Sequence, residues 1–493
     1  MLDKNILIKT SLILILCIPG CKNKDSKVSQ VENKPNIILI MADDMGYGEV
    51  GCYGQEIINT PNIDKLAENG MKFTRFYAGS AVCAPSRCVL MTGKHTGHSY
   101  IRNNGQPKEK NTLTVFPGQN PIPGSEITLG ELLKNQGYTT ACIGKWGLGS
   151  QGTSGDPNNQ GFDLFYGYKC QVHAHNHYPN FLWRNDKMET LEGNDRTLYG
   201  AQHSQDLFTK EALQFIDQNK NSPFFLFLPF IIPHLAIQTN EVFLEKYKDS
   251  IPESEYEHKG YIQHPSPHAG YAGMISQMDD GIGQVMKRIK KLGLNKNTII
   301  IFTSDNGPTY GRLGGADSDF FNSSGPLSGR KGSLLEGGIR EPMVVSWPGK
   351  IMPGTVTDLP SAFWDVLPTI CELSGSEIPD NTDGISFLPT LLGEDNQEKH
   401  ETLYWEFPAY GGQAAITDGD WKLLVQNLIS KNKQISIQLY NIKEDIAEQN
   451  DLSSKYPEIV TRLLDEMKDS HVPSDLFKFP ELEEFYNQAS GML

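Results

Sequence analysis

Long, unbroken apolar runs mark the first three-quarters of the chain. Residues 35–42 (PNIILIMA) are rich in isoleucine and have the length of a strand buried on both faces. Residues 139–143 (TTACI), 224–230 (FFLFLPF), 298–303 (TIIIFT) and 342–347 (PMVVSW) repeat the pattern. Between them, residues 62–69, 129–135 and 271–292 carry helical patterns, the first stopped by Gly70 and the second followed by Gly137. Strands alternating with helices predict an α/β fold: a large mixed, mostly parallel sheet sandwiched by helices. Beyond residue 375 the pattern changes. Residues 374–384 are rich in turn formers, and the strand-like pieces become short: 401–407, 414–417, 421–425 and 437–440, with a helical pattern over 457–471. These features predict a catalytic α/β domain over residues 35–375 and a smaller α+β subdomain over 376–493.

The start of the chain follows neither pattern. Lys4 and Lys9 precede a short apolar core, residues 11–18, and Ile18-Pro19-Gly20-Cys21 follows. This has the form of an export signal and falls short of the ~20 apolar residues of a spanning helix. The small residue before Cys21 resembles the lipobox of bacterial lipoproteins. Residues 1–21 are therefore read as a lipoprotein signal, with a plain cleaved signal as the alternative, and polar residues 22–34 as a flexible tether. The mature protein is expected in the periplasm or at the cell surface, lipid-anchored through Cys21. The formal net charge of −15 argues against a nucleic-acid partner, although an anion can still bind where cations are concentrated locally. Six cysteines lie beyond the signal, and no CxxC pair suggests zinc or thioredoxin chemistry.

Two strand candidates end in oxygen-rich pairs, Asp43-Asp44 and Asp305-Asn306. Ligands of open α/β sheets bind at the carboxyl ends of strands, and four hard oxygen donors suit Ca²⁺ or Mg²⁺ better than zinc. Taken singly, such pairs are also ordinary turn residues. Residues 81–93 (AVCAPSRCVLMTG) add the deciding motif. They resemble the first signature of the type I sulfatases, in the alkaline phosphatase superfamily, with Cys83, Pro85 and Arg87 at its core. Residues 137–145 (GYTTACIGK) resemble the second signature. Pro233-His234, Lys331 within Gly329-Arg330-Lys331-Gly332, residues 337–342 (GGIREP) and Leu439-Tyr440-Asn441 fit the same family, in its order, along most of the mature chain.

The resemblance implies an arylsulfatase-like sulfuric ester hydrolase with an alkaline phosphatase-like fold. It implies that Cys83 is a precursor, which a separate formylglycine-generating enzyme oxidises to the nucleophile. It also implies Ca²⁺, with Mg²⁺ as the alternative, held by Asp43, Asp44, Asp305, Asn306 and residue 83. Arg87, Lys145 and Lys331 would surround the sulfate oxygens, and His234 would be the general acid for the leaving alcohol. One position departs from the family. Where relatives read GKWHLG, this chain reads Gly144-Lys145-Trp146-Gly147-Leu148-Gly149. The histidine that helps regenerate the aldehyde is missing at Gly147. His95 and the trio His173, His175 and His177 are candidate replacement bases.

Residues 171–185 (QVHAHNHYPNFLWRN) place those three histidines at alternate positions, followed by Tyr178, Trp183 and Arg184. We read this as a substrate-recognition loop; a second metal site, or a polar loop around a core tryptophan, are the alternatives. Arg102, Asn103, Asn104, Tyr404, Trp405 and Glu406 are further candidates for the same pocket. The GKWGLG and HAHN pattern is similar to that of bacterial polysaccharide and glycosaminoglycan sulfatases acting on galactose or N-acetylgalactosamine sulfates. The expected partners are thus a sulfated carbohydrate and the maturation enzyme. Two rival readings are a phosphonate or phosphodiester hydrolase of the same superfamily and a non-catalytic glycan-binding lipoprotein. The intact set Cys83, Arg87, Lys145, His234 and Lys331 argues against the second.

Overall fold

The isoleucine-rich run forms β1 (Asn36–Asp43), buried along its whole length. A strand that is apolar on both faces needs cover on both. Ile38, Ile40 and Ala42 join one cluster with Leu226, Leu228, Ile300 and Phe302. Ile37, Leu39 and Met41 point the other way and are equally buried. The structure, a computed structural model, describes residues 34–105 and 118–489. The signal, Cys21 and all of the tether except Lys34 lie outside the described residues.

The central sheet comprises β1, β2 (Met71–Phe73), β4 (Thr139–Lys145), β5 (Leu164–Tyr168), β6 (Phe181–Arg184), β7 (Lys187–Thr190), β8 (Phe224–Pro233), β9 (Thr298–Ser304), β10 (Met343–Ser346) and β11 (Thr355–Thr357). Their order is β11-β2-β10-β9-β1-β8-β4-β5-β6-β7. The middle strands, β9-β1-β8-β4-β5, are mutually parallel. The flanks add antiparallel pairs, so the sheet is mixed as expected. β10 runs antiparallel to β9, and the long connection between them carries the single helical turn α7. β3 (Phe76–Tyr77) pairs separately with β12 (Ser361–Ala362).

The helices are α1 (Pro61–Glu68), α2 (Cys83–Thr92), α3 (Leu129–Asn135), α4 (Ser204–Asn219), α5 (Glu241–Leu244), α6 (Pro267–Lys291), α7 (Glu336–Ile339), α8 (Phe363–Ser374), α9 (Leu388–Leu392), α10 (Pro457–Asp469) and α11 (Pro480–Ala489). Ile63 and Leu66 of α1, Phe208 and Phe215 of α4, and Met274, Met278 and Ile282 of α6 complete the first cluster. The short C-terminal strands form an antiparallel meander: β13 (Thr402–Phe407), β14 (Gln413–Asp418), β15 (Trp421–Gln426) and β16 (Ser436–Asn441). Helix α10 packs on it through Val460, Leu463, Leu464 and Met467. Lys422 of β15 is fully buried between Glu336 of α7, at 2.8 Å, and Glu448, at 2.9 Å. No disulfide joins the described cysteines. Among the described residues, no helix is long and apolar enough to cross a membrane.

Candidate active site

Four adjacent strands end at one place. In β1, Asp43 lies opposite Pro233 of β8, and Ala42 lies opposite Ser304 of β9. The residues that follow, Asp44, His234 and Asp305, therefore emerge side by side, while β4, next to β8, delivers Lys145. Asp44 has a left-handed backbone, φ +64°, which aspartate tolerates better than most residues. That turn lets two successive side chains, which a strand would send to opposite faces, converge. Cys83 opens α2, and Arg87 stands one turn later on the same face. Asp43, Asp44, Cys83 and His234 bring ligand-type atoms within 4.8 Å of one another.

Charges balance closely here. Lys145 Nζ lies 2.6 Å from Asp43, and Lys331 Nζ donates to both oxygens of Asp44 at 2.7 and 2.6 Å. Lys331 also sits 3.5 Å from Cys83 Sγ. Burial alone would raise the Asp43 carboxyl, but Lys145, with His234, Arg87 and Lys331 behind it, holds it far below the usual range. Burial and the Asp43 charge push the Asp305 carboxyl upward against Arg87. With all three carboxylates ionised, they face three cations, and an added divalent ion would leave the site net positive. The donors suit such an ion. Asn306 Oδ1 is buried without a hydrogen-bond partner among the described residues, while its Nδ2 donates to Asp44 at 2.8 Å. Oxygen donors of this kind fit a hard divalent cation.

Burial pushes the Cys83 thiol above its ordinary range, although Lys145 and Lys331 pull the other way. It therefore stays protonated, unlike the depressed thiols of nucleophilic cysteines. His234 Nδ1 donates to Leu235 O at 2.7 Å, which leaves the Nε2 lone pair facing Asp44 at 3.7 Å. Burial and the Lys331 charge push this imidazole down to about 3. The resting side chain is thus neutral. An anionic ester beside the two lysines would offset their charge and favour its protonation.

Residues 35–376 match the Sulfatase family, and residues 330–472 match the description N-sulphoglucosamine sulphohydrolase, C-terminal. The chain belongs to the sulfatase family. It is accordingly a sulfuric ester hydrolase. N-acetylgalactosamine-6-sulfatase of Mus musculus is 33% identical over 378 residues, covering 73% of this chain and 66% of that protein. Arylsulfatase A of Homo sapiens is 31% identical over 420 residues, covering 80% and 75%. The solved structure of Ps i-CgsB in complex with k-i-k-neocarrahexaose superposes with a TM-score of 0.75 at 29% identity, covering 93% of this chain and 98% of that one. The phosphonate monoester hydrolase of Agrobacterium radiobacter shares the fold, with a TM-score of 0.62 at 19% identity, covering 88% and 95%.

Not every candidate residue of this sulfatase gathers at the cluster. Arg87 is 1% exposed. Its Nε and Nη2 both reach Asp305 Oδ2, and Nη1 reaches Lys145 O. It therefore braces the Asp305 carboxylate and the end of the lysine strand. Among the candidate bases, His175 alone stacks on His234, with ring centroids 4.9 Å apart and planes at 16°. His177 Nε2 bonds to His234 O at 2.9 Å and so acts on the site from beneath. His173 packs between Tyr168 and Phe181. His95 lies beyond the far end of α2, beside His98 and Asp383; that helix alone spans about 15 Å. Gly147 has φ +81°, and a side chain there would meet Gln171 Nε2 at 3.0 Å, so glycine suits both the backbone and the space.

The remaining pocket candidates divide the same way. Asn104 Oδ1 accepts the Ala84 amide at 2.9 Å, next to Cys83, and is exposed. Arg102 is buried against Glu406 at 2.6 Å and joins the loop after α2 to β13. Tyr404 also bonds Glu406. Trp405 is fully buried, bonding Ala78 O and packing on Tyr77 and Trp364; it is core, not pocket wall. Arg184 pairs with Glu189 and Glu211 at the antiparallel flank. Tyr261, which no motif marked, packs on His175 and His234 at 5.3 and 6.0 Å. Its only signal was an isolated aromatic after Gly260 in a polar stretch.

Proposed function

We propose that this sulfatase removes sulfate from a carbohydrate, a galactose or N-acetylgalactosamine sulfate, with residue 83 as formylglycine and Ca²⁺ held by Asp43, Asp44, Asp305 and Asn306. The observation that carries this reading is the convergence of those donors with Cys83, Lys145, Lys331 and His234 at four strand ends, one helix start and the loop before α7. The N-acetylgalactosamine-6-sulfatase relative and the oligosaccharide bound to i-CgsB favour the substrate class. When present, the cation supplies charge against the ester oxygens and formylglycine supplies an oxygen nucleophile that the buried thiol is not.

The other steps belong to side chains in place. Lys331, at the mouth, and Lys145, beneath it, meet the sulfate oxygens and stabilise charge that grows on them. Arg87 keeps Asp305 and the Lys145 strand aligned. His234 exchanges a proton with the ester's bridging oxygen through Nε2, and its Nδ1 bond to Leu235 O fixes the ring. Burial around the cluster excludes water, which strengthens each of these interactions. The segment Cys83-Ala84-Pro85-Ser86-Arg87 is the recognition sequence for the maturation enzyme. The signal pattern supports export and lipid anchoring through Cys21, placing the site in the periplasm or at the cell surface.

Mass spectrometry of the residue-83 peptide, paired with sulfate release from defined galactose and N-acetylgalactosamine sulfates, tests the proposal. Converted protein should release sulfate and Cys83→Ala should not. Equal activity from unconverted protein, or preference for aryl phosphodiesters over aryl sulfates, would overturn it.

A further inference from the structure

We propose that Tyr310 and Tyr410 form an aromatic subsite for a second pyranose ring of the substrate, adjoining the sulfated residue. This rests on the carbohydrate sulfatase reading above and extends it to chain length. Tyr410 lies in the turn between β13 and β14 with a left-handed backbone, φ +50°, followed by Gly411 at +95° and Gly412 at +74°. A tyrosine held in that conformation is unusual, and the residue is 59% exposed. Such strained positions cluster where a side chain is presented for use.

The ring does not flap alone. Phe407, fully buried, stacks on Tyr410 at 5.5 Å and 22°. Tyr310 stacks at 6.0 Å and 17°, and the two phenols share a 2.5 Å hydrogen bond. The result is a rigid surface of nearly parallel rings fed by two different parts of the chain. It adjoins the catalytic cluster directly. A side chain at Gly332 would meet Tyr410 ring carbons at 3.2 and 3.3 Å and the Tyr310 hydroxyl at 3.3 Å. Gly332 is the residue after Lys331, whose ammonium touches Asp44 and Cys83. Beyond Tyr310 opens a cavity of about 500 Å³, bordered by Glu255, Tyr256, Glu257, Lys259 and Arg312, with Lys259 paired to Glu257 at 2.9 Å. That volume falls in the ~300–1,000 Å³ range of ligand pockets.

A pyranose fits this surface chemically. Its C–H face covers an aromatic ring and excludes water, while hydroxyls at its edge can bond phenol oxygens and the nearby cations. A ring bound there would be the neighbour of a sugar whose sulfate lies at Lys331. The subsite therefore acts on oligosaccharides and not on isolated sulfated sugars.

The test compares full-length, formylglycine-bearing wild type, Tyr410→Ala and Tyr410→Phe. Substrates are chondroitin 4-sulfate and 6-sulfate hexasaccharides, k-i-k-neocarrahexaose, and 4- and 6-sulfates of galactose and N-acetylgalactosamine. All three proteins keep a non-glycine residue at φ +50°, so backbone strain is held constant. Wild type should show a KM about tenfold lower for a hexasaccharide than for the monosaccharide sulfate, equivalent to one stacked ring. Tyr410→Ala should lose that advantage with kcat within about twofold, and Tyr410→Phe should keep it. Equal hexasaccharide KM in wild type and Tyr410→Ala would overturn the subsite. So would a parallel rise for monosaccharides, or sulfate release from monosaccharides alone. Release from no saccharide would overturn the carbohydrate reading itself, and the subsite with it.

Discussion

Asn306 shows what one atom can report. Its amide nitrogen is committed to Asp44, and its buried oxygen has no partner among the described residues. Such an oxygen costs free energy unless something supplies a positive charge or a donor. Ca²⁺ at a hundredfold over its Kd should therefore stabilise the metal-free protein by about 2.7 kcal/mol. Asn306→Ala should lose most of that gain, as read by urea unfolding followed by circular dichroism. Equal stabilisation of both proteins would place the ion elsewhere. His175 is the second residue whose position predicts a result. It faces His234 and Tyr261, and burial pushes it down to about 2, so it is a neutral acceptor. His175→Ala should lower kcat about a hundredfold or more. His95→Ala, removed at the far end of α2, should stay within about twofold. Steady-state sulfate release on both variants checks the contrast, and the reverse ranking would remove His175 from turnover.

Elements differed in how plainly they could be read. Runs such as FFLFLPF and TIIIFT read as strands buried on both faces, and β8 and β9 formed where those runs lie. Helix α2 could not be read by periodicity, because all ten of its residues are buried and no polar face alternates with an apolar one. The residues gathered at the strand ends followed from motif and strand pattern together. The carbohydrate side did not. Trp405 and Arg102 have compositions that suit a sugar pocket, yet one fills the core and the other meets a buried carboxylate. Exposure depends on which element packs over a residue, and short-range patterns do not carry that information. Lys422 illustrates the same limit. Alone in β15 it reads as a surface lysine, but it is buried between Glu336 and Glu448, with Tyr77 also bonded to Glu336. It ties the C-terminal sheet to the segment that follows Lys331. Lys422→Met should leave Glu448 without a counter-ion and Glu336 with Arg340 alone, and cost about 3–5 kcal/mol. Chemical denaturation should register that loss; a change below about 1 kcal/mol would mean that the sheet is held by its apolar contacts.

Across the whole molecule, net charge predicts one response to acid and the buried histidines predict another. The chain carries −15 at pH 7, and its isoelectric point is about 5.3. Lowering the pH toward that value relieves overall self-repulsion, which by itself favours the compact state. The buried histidines oppose this. His264 is 2% exposed and accepts the Ser266 amide at Nδ1. Burial pushes it down to about 4, from an ordinary value of 6.5. His173, also packed inside, is pushed down to about 3 by burial and the Arg196 charge. For such groups the folded state holds fewer protons than the unfolded chain between the two values. Their contribution is present above pH 6.5 and is lost as the pH falls toward the folded value. Asp279 has the opposite sign: burial raises it to about 6, so its contribution declines as pH rises through that value. A single-group comparison separates these effects. Relative to His264→Gln, wild type should lose about 1.4 kcal/mol of unfolding free energy per pH unit between roughly pH 6 and 4. Urea unfolding of both proteins across that range measures the difference. Parallel curves would show that the imidazole is protonated in the folded state and that acid sensitivity arises at other buried groups.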